Sequence, residues 1–118
     1  MGELTETLRQ IAPNLSTEIG GRLRGSMGAI LRGYLPQSWS IESPSDATTL
    51  SVSADGTVTV RDGVDPAADV VIRGAQASLL AALRRGRDAG VRRTDFEVEL
   101  RTRKGRTAFE FLRGRFGL

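Results

Sequence analysis

The side chains able to carry chemistry in this 118-residue chain are carboxylates, arginines and a single lysine, because the sequence contains no histidine and no cysteine. Their absence excludes an imidazole base that titrates near neutral pH, a thiol nucleophile, a disulfide and a zinc–thiolate centre. The lysine, Lys104, falls in a predicted turn, where its amine stays hydrated and charged. We therefore expect that the protein is not an enzyme and has no catalytic residue, no metal site and no cofactor.

The charged residues are unevenly distributed. The net charge is +3, but residues 84–118 hold eleven bases and five acids, whereas residues 1–83 hold six bases and nine acids. A basic segment is either a solvated surface or an attractor of phosphates and anionic lipid headgroups. Tyr34 and Trp39, the only tyrosine and tryptophan, lie far from this segment, so nucleic acid is not an expected partner. An anionic membrane surface stays a candidate partner for Arg92, Arg93, Arg101, Arg103, Lys104 and Arg106.

Length and composition indicate a single domain over residues 1–118, since a chain of this size and 39% hydrophobic content builds one core. We place an N-terminal helical segment in 1–35 and the sheet with its covering helices in 38–116. No run of eighteen apolar residues exists, and the first residues carry acids where an export signal carries bases. We therefore expect no membrane span and a cytoplasmic protein.

Helical periodicity governs the first third of the chain. Leu4, Leu8 and Ile11 predict a short helix, which Pro13 is expected to interrupt. A second helix is predicted to begin at Asn14 and to end at Leu35-Pro36. Its five glycines make it intrinsically weak. Close packing of its backbone, or a deformable wall over a cavity, would explain them.

Strand and turn signals dominate the rest of the chain. In the Asp55-Gly56 hairpin, a three-residue loop pairs Val52 with Val58 and Leu50 with Val60. We favour this register because it places all four side chains on one buried face, and it requires Gly56 to be left-handed. The predicted strands are 39–43, 49–53, 57–61, 68–74 and 96–100, and a helix over 75–86 ends at Gly86.

The last segment fits two structures. Phe109, Leu112 and Phe116 share one face of a helix. A two-residue turn at Lys104-Gly105 would instead pair Leu100 with Phe109 in a hairpin. The hydrophobic pattern alone does not choose between them.

The order of these motifs resembles the lipid-binding domain of the sterol carrier protein type-two family. The motifs are a strand led by Trp39, the Asp55-Gly56 turn, the strand start at Ala68-Asp69, and a helix with Leu79, Leu80, Leu83 and Gly86. The resemblance implies an α+β fold with a five-stranded, mostly antiparallel sheet and helices covering one face. It also implies an apolar tunnel between helices and sheet, and a C-terminal helix, which we adopt for 106–116.

We therefore hypothesise non-enzymatic binding or carriage of an apolar ligand (a lipid, fatty acyl chain or sterol-like molecule) in such a tunnel. Two alternatives stay open. One is a protein-interaction module whose tunnel is filled by side chains, and the other is a binder of anionic surfaces or nucleic acid through the Arg-rich C-terminal third. The predicted ligand-binding residues are Ile30, Leu31, Trp39, Leu80, Leu83, Phe109, Leu112 and Phe116.

We predict that any binding of oligonucleotides or anionic vesicles by residues 84–118 is purely electrostatic, because these bases have no tyrosine or tryptophan nearby. Affinity should then fall steeply between about 50 and 200 mM salt. Titrations at several salt concentrations check this. Binding that survives high salt, or that prefers one nucleotide sequence, contradicts it.

Overall fold

The computed structural model describes residues 2–112. The described residues form four α-helices, five strands and two 3₁₀ turns. The helices are α1 (Glu3–Arg24), α2 (Gly28–Arg32), α3 (Gln76–Arg85) and α4 (Arg103–Leu112). The strands are β1 (Gln37–Glu42), β2 (Ala47–Val52), β3 (Val58–Asp62), β4 (Val70–Gly74) and β5 (Phe96–Leu100), and the 3₁₀ turns are Gly86–Ala89 and Arg93–Asp95.

The five strands form one sheet in the order β3-β2-β1-β4-β5. Only β1 and β4 pair in parallel, and the other three pairings are antiparallel. Trp39 lies opposite Leu50 on one side and Val70 on the other, so the apolar side chains form rows across one face. The buried side chains of the helices pack on this face. The α+β fold with helices covering one face is thus confirmed.

The middle of the opposite face is covered by the connection between β3 and β4, whereas Thr59 and Glu97 on the edge strands are exposed. This connection, residues 63–69, crosses β2 and β1, and its Asp65 N–H donates to the Ser40 hydroxyl at 2.9 Å. The Thr49 hydroxyl donates to the carbonyl of Gly63 at 2.7 Å. Ser40, Thr49 and Val71 are fully buried beneath it. Since the middle of this face is occupied by the protein's own backbone and the side chains exposed at its edges are polar, the helical face is the apolar face of the sheet.

The predicted register of the β2–β3 hairpin is confirmed. Val52 pairs with Val58, Leu50 pairs with Val60, and Gly56 has a φ of +89°. Val52 is buried, and the other three are half-buried on the same face. Gly56 is needed for a second reason, because a Cβ there would lie 2.8 Å from Cδ1 of Leu23 in α1. The hairpin loop is therefore a docking point for α1.

The prediction that Pro13 interrupts the N-terminal helix is wrong, because α1 runs unbroken through it. Proline removes one backbone N–H donor, and buried contacts on both sides, at Leu8 and Leu23, outweigh that loss. The break comes after Arg24 instead. Gly28 explains it, since a Cβ there would lie 1.9 Å from the Leu23 carbonyl oxygen. Gly28 thus allows close packing, as one of the two explanations for the glycines required, but the packing is against α1 itself.

Within residues 2–112 no helix is long and apolar enough to span a membrane.

The C-terminal segment is helical from Arg103 to Leu112, which excludes the alternative hairpin over these residues. The predicted start at residue 106 is wrong, because the helix begins three residues earlier, at Arg103, where Thr102 caps it. The Thr102 hydroxyl accepts a hydrogen bond from the N–H of Gly105 at 3.0 Å, as an N-cap residue does. The predicted helix over 75–86 is confirmed as α3, ending at Gly86 with a φ of +57°. The part of the predicted helix beyond 112 lies outside the described residues.

The N-terminus of α1 is held by two aspartates of the sheet. The Leu4 N–H donates to Asp46 at 2.9 Å, and the Thr5 hydroxyl donates to Asp62 at 2.6 Å. Burial raises the pKa of Asp46, but hydrogen bonds from the Leu4 N–H, Gln76 and the Ala47 N–H outweigh it and lower the pKa overall. The Thr5 hydroxyl likewise lowers the pKa of Asp62. Ionised carboxylates therefore attach α1 to the sheet.

We predict that Gly56→Ala destabilises the protein more than Gly63→Ala. Both glycines have a φ near +90°, but a Cβ at Gly63 meets no atom within 4 Å. Gly63→Ala should therefore cost only the left-handed conformation, about 1–2 kcal/mol. Gly56→Ala should add about 1–3 kcal/mol for overpacking against Leu23. Urea denaturation measures both. Equal losses would show that the contact with α1 contributes nothing.

We also predict that acid destabilises the protein through the Asp46 clamp, by which we mean the hydrogen bonds that the Asp46 carboxylate accepts from the Leu4 N–H and from Gln76. Because folding lowers the pKa of Asp46 and Asp62, their stabilising effect is complete above the unfolded value of about 3.9 and is lost as the pH falls through the folded value. The Tm of the wild type should decline below about pH 4. The decline should be shallower in Asp46→Asn, whereas the exposed Asp88→Asn should behave as wild type. Identical pH profiles for the wild type and Asp46→Asn would contradict the clamp.

Candidate functional site

The helical face of the sheet carries two separate apolar clusters. The first, here the α3 cluster, lies where α1 and α3 pack on each other and on the sheet. The second, the α4 cluster, lies where α4 packs over β4 and β5. The α3 cluster consists of Leu4, Leu8, Ile41, Leu79, Leu80, Ala82 and Phe96, and the α4 cluster consists of Trp39, Val70 and Phe109.

Two sheet residues contact both clusters, and neither is fully covered. Ile72 and Val98 pair across β4 and β5 and pack against the α3 cluster and the α4 cluster alike. Both are only half-buried. Ile72 stands on an inner strand beneath the helical layer, a position where an aliphatic side chain is usually buried. We call these two residues the apolar floor. Among residues 2–112, it marks incomplete coverage of the sheet between α3 and α4.

The structure brings some of the predicted ligand-binding residues together. The rings of Trp39 and Phe109 lie 6.1 Å apart between centroids, in the α4 cluster. Leu80 belongs to the α3 cluster, and Leu83 is half-buried against it. These four residues therefore lie on both sides of the apolar floor.

The other predicted residues lie elsewhere or outside the description. On α2, Leu31 is half-buried, and Ile30 is 55% exposed and belongs to neither cluster. Leu112 is the last residue of α4, and Phe116 lies outside residues 2–112. A ligand role for these residues stays a prediction. Strand alternation in 68–74 and 96–100 places Ile72 and Val98 on the apolar side of the sheet, but it gives no sign that the two side chains stay partly exposed.

A buried polar network fixes α4 over Trp39. The Trp39 indole N–H donates to Oε1 of Gln37 at 2.7 Å, and Nε2 of Gln37 donates to the carbonyl of Lys104 at 2.8 Å. At the end of the connection, just before β4, Asp69 accepts from the N–H of Ser38 at 2.9 Å and from the hydroxyl of Thr102 at 2.7 Å. Asp69 was noted in sequence only as a strand start. Its partners are more than thirty residues away, so no local pattern identifies this role.

Three of the C-terminal bases are engaged within the protein. Arg93 donates to the carbonyl of Phe96 at 3.0 Å and lies 5.7 Å from the centre of the Phe109 ring. Arg101 pairs with Glu99 at 3.1 Å. Lys104 donates to the carbonyl of Pro36 at 2.6 Å. These bases stabilise the fold around α4, which reduces the charge available for an external anion.

Two surface depressions lie away from the apolar floor. One, of about 330 Å³, runs along the ends of β1, β2 and β3 and is lined mainly by residues with polar side chains, such as Ser38, Ser51 and Thr59. The other, of about 400 Å³, lies at the end of α1 and is lined by Gly20, Leu23, Arg24, Arg32, Ala54 and Asp55. The Ser53 hydroxyl and the Thr57 N–H lower the pKa of Asp55 to about 2, so it is ionised near neutral pH. Neither depression is the predicted apolar tunnel.

Comparison with known proteins identifies the fold. The sequence matches no protein-family model, and the search of curated proteins found no relative. The structure is similar to one titled "UbiJ-SCP2 Ubiquinone synthesis protein", with a TM-score of 0.57 and 19% identity over 98% of this chain and 95% of that chain. A weaker likeness, to the inverting sec-alkylsulfatase Pisa1 from Pseudomonas sp., carries no argument, since its TM-score is 0.46 at 19% identity and it covers 68% of this chain but 13% of that one. The chain therefore has the SCP2-like α+β fold that its motifs predicted.

Proposed function

We propose that this protein binds and carries, without chemistry, an apolar molecule with a long tail on the apolar floor between α3 and α4. The ligand class is a lipid, a fatty acyl chain or a sterol-like molecule. The proposal rests on one observation, the half-buried Ile72 and Val98 in contact with two apolar clusters. Apolar side chains left partly exposed inside a covered sheet face suit a ligand that completes the core.

The expected affinity is sufficient for a carrier. A long acyl chain that buries most of its methylenes gains on the order of 10 kcal/mol, at about 0.8 kcal/mol for each methylene. Association costs about 4 kcal/mol or more. The remainder, about 6 kcal/mol, corresponds to a Kd of about 10–100 μM. Such binding releases its ligand readily, as carriage requires.

The same proposal treats the protein as non-enzymatic and cytoplasmic. The absence of histidine and cysteine from the sequence supports the non-enzymatic part, since no imidazole base and no thiol nucleophile is present. An apolar site needs neither type of side chain, because burial of the ligand supplies the free energy of binding.

A second candidate is a protein-interaction module with a filled interior. The contact between Trp39 and Phe109 favours it, because these rings occupy space between the sheet and α4 that a tunnel would need. The two candidates differ over the apolar floor. A carrier takes up a small molecule there, whereas an interaction module keeps its floor for internal packing.

Ligand binding by the wild type and two tryptophan variants tests the proposal. We predict that Leu83→Trp lowers affinity for a fluorescent fatty acid at least tenfold, because the larger ring occupies the space beside the α3 cluster. The overpacked variant should lose about 1–3 kcal/mol of stability. The matched control is Val64→Trp, at an exposed position in the connection over the opposite face, and its affinity should equal that of the wild type.

Native mass spectrometry of the purified protein complements the titration. The probes are a fatty acid, a sterol and a polyprenylated quinone, the last because the structural neighbour is titled a ubiquinone synthesis protein. Co-purified lipid or micromolar binding of any probe supports the carrier. If the protein binds none of the three probes and its mass shows no bound ligand, the carrier is rejected and the interaction module is favoured.

A further inference from the structure

A second surface, at the corner between α1 and α2, has an unusual distribution of side chains. We define the α1–α2 corner as residues 20–35. Met27 and Ile30 in this corner are 54% and 55% exposed, and the third large exposed apolar side chain of the described residues, Val64, is 36% exposed. Two of the three thus lie within four residues of one another. An exposed pair of this kind on a small protein indicates contact with something apolar.

The orientation of α2 is the reverse of that of an ordinary surface helix. Its buried residue is Gly28, whereas Ile30 points outward. The orientation is fixed by contact, because Gly28 packs on the backbone of Leu23 so closely that no Cβ fits. Arg32 reinforces it by donating to the Leu23 carbonyl at 3.4 Å. The fold therefore holds Met27 and Ile30 in solvent instead of leaving them free to bury themselves.

The charges of the corner complement an anionic surface. It contains three arginines, Arg22, Arg24 and Arg32, all exposed, and no acidic residue. Two acids face it from outside, since Glu18 lies 3.5 Å from Arg22 and Asp55 shares a depression with Arg24 and Arg32. The balance stays positive. Arginines that surround a small group of apolar side chains are typical of segments that lie in a membrane interface.

We propose that the α1–α2 corner docks on an anionic membrane surface. Met27 and Ile30 enter the boundary between headgroups and acyl chains, while Arg24 and Arg32 contact lipid phosphates. Two apolar side chains are too small a patch for a stable protein dimer, which buries about 800 Å² on each partner. A membrane requires no such complementary shape. The proposal is independent of the apolar floor, since no residue of the floor takes part.

Vesicle flotation tests the apolar contact. The probes are vesicles of phosphatidylcholine with about 30% phosphatidylserine, a content that gives the surface its negative potential, and vesicles of phosphatidylcholine alone. We expect Met27→Ser/Ile30→Ser to bind the anionic vesicles at least tenfold more weakly than the wild type. Val64→Ser removes the other exposed apolar side chain and should bind as the wild type does. Equal loss in both variants overturns the proposal, as does no loss in either.

A second pair of variants tests the charges. Each arginine at an anionic surface contributes about fivefold in affinity, so Arg24→Gln/Arg32→Gln should weaken binding about 30-fold. The control, Arg103→Gln/Arg106→Gln, removes the same charge from the C-terminal third and should leave binding within about twofold. The reverse result assigns docking to the C-terminal bases and overturns the proposal.

Competition and stability complete the design. Inorganic phosphate at about 10 mM should not displace the protein from vesicles beyond its effect on ionic strength, because docking requires the apolar contact. Complete displacement identifies a free-phosphate site in the depression instead, and rejects membrane docking. Thermal unfolding of the Met27→Ser/Ile30→Ser, Val64→Ser and Arg103→Gln/Arg106→Gln variants should match that of the wild type, since the substituted side chains are exposed. Arg32 also donates to the Leu23 carbonyl, so Arg24→Gln alone, expected to weaken binding about fivefold, separates the lost charge from any loss of stability in the double arginine variant. The vesicle assay uses no ligand of the apolar floor, so its outcome is separate from that of the carrier proposal.

Discussion

The parallel pairing of β1 with β4 is the constraint on which the rest of the structure depends. β1, β2 and β3 form a meander by antiparallel pairing, so β4 can reach the free side of β1 only if the chain crosses β2 and β1. The crossing segment, 63–69, takes one face of the sheet, and its backbone bonds to Ser40 and Thr49. All four helices are then left to the other face. The position of the apolar floor follows from this division, because it lies where that helical cover is incomplete.

Two polar attachments determine how the helical cover is arranged. Asp46 and Asp62 hold the start of α1 at one end of the sheet. At the other end, Gln37 and Asp69 tie α4 to β1 and β4. Each attachment joins segments more than thirty residues apart. Because α1 and α4 are fixed at opposite ends of the sheet, they need not meet in the middle. Helix α3 packs on α1, and α3 and α4 accordingly belong to different clusters that share only Ile72 and Val98.

The two proposed surfaces assign complementary tasks to the same small fold. The apolar floor would hold a ligand by burial, which requires no titratable side chain. The α1–α2 corner would meet the membrane in which apolar ligands reside. The corner joins the helical cover through α1, whose end packs on the β2–β3 loop at Gly56. The apolar residues exposed at the corner and half-exposed on the floor belong to different elements, so each surface can be altered without altering the other.

Local pattern in the sequence determined the strands, the hairpin register and the end of α3 at Gly86. Leu50, Val52, Val58 and Val60 could share a face in only one register, and Gly86 could end α3 with a positive φ. Only the tertiary structure decided the course of α1 through Pro13, the outward direction of Ile30 and the roles of Gln37 and Asp69. In each case the deciding contact comes from a distant segment or from close backbone packing. Alternation and propensity describe the conformation that a segment prefers on its own, whereas these features depend on the free energy that the segment gains by packing on other segments.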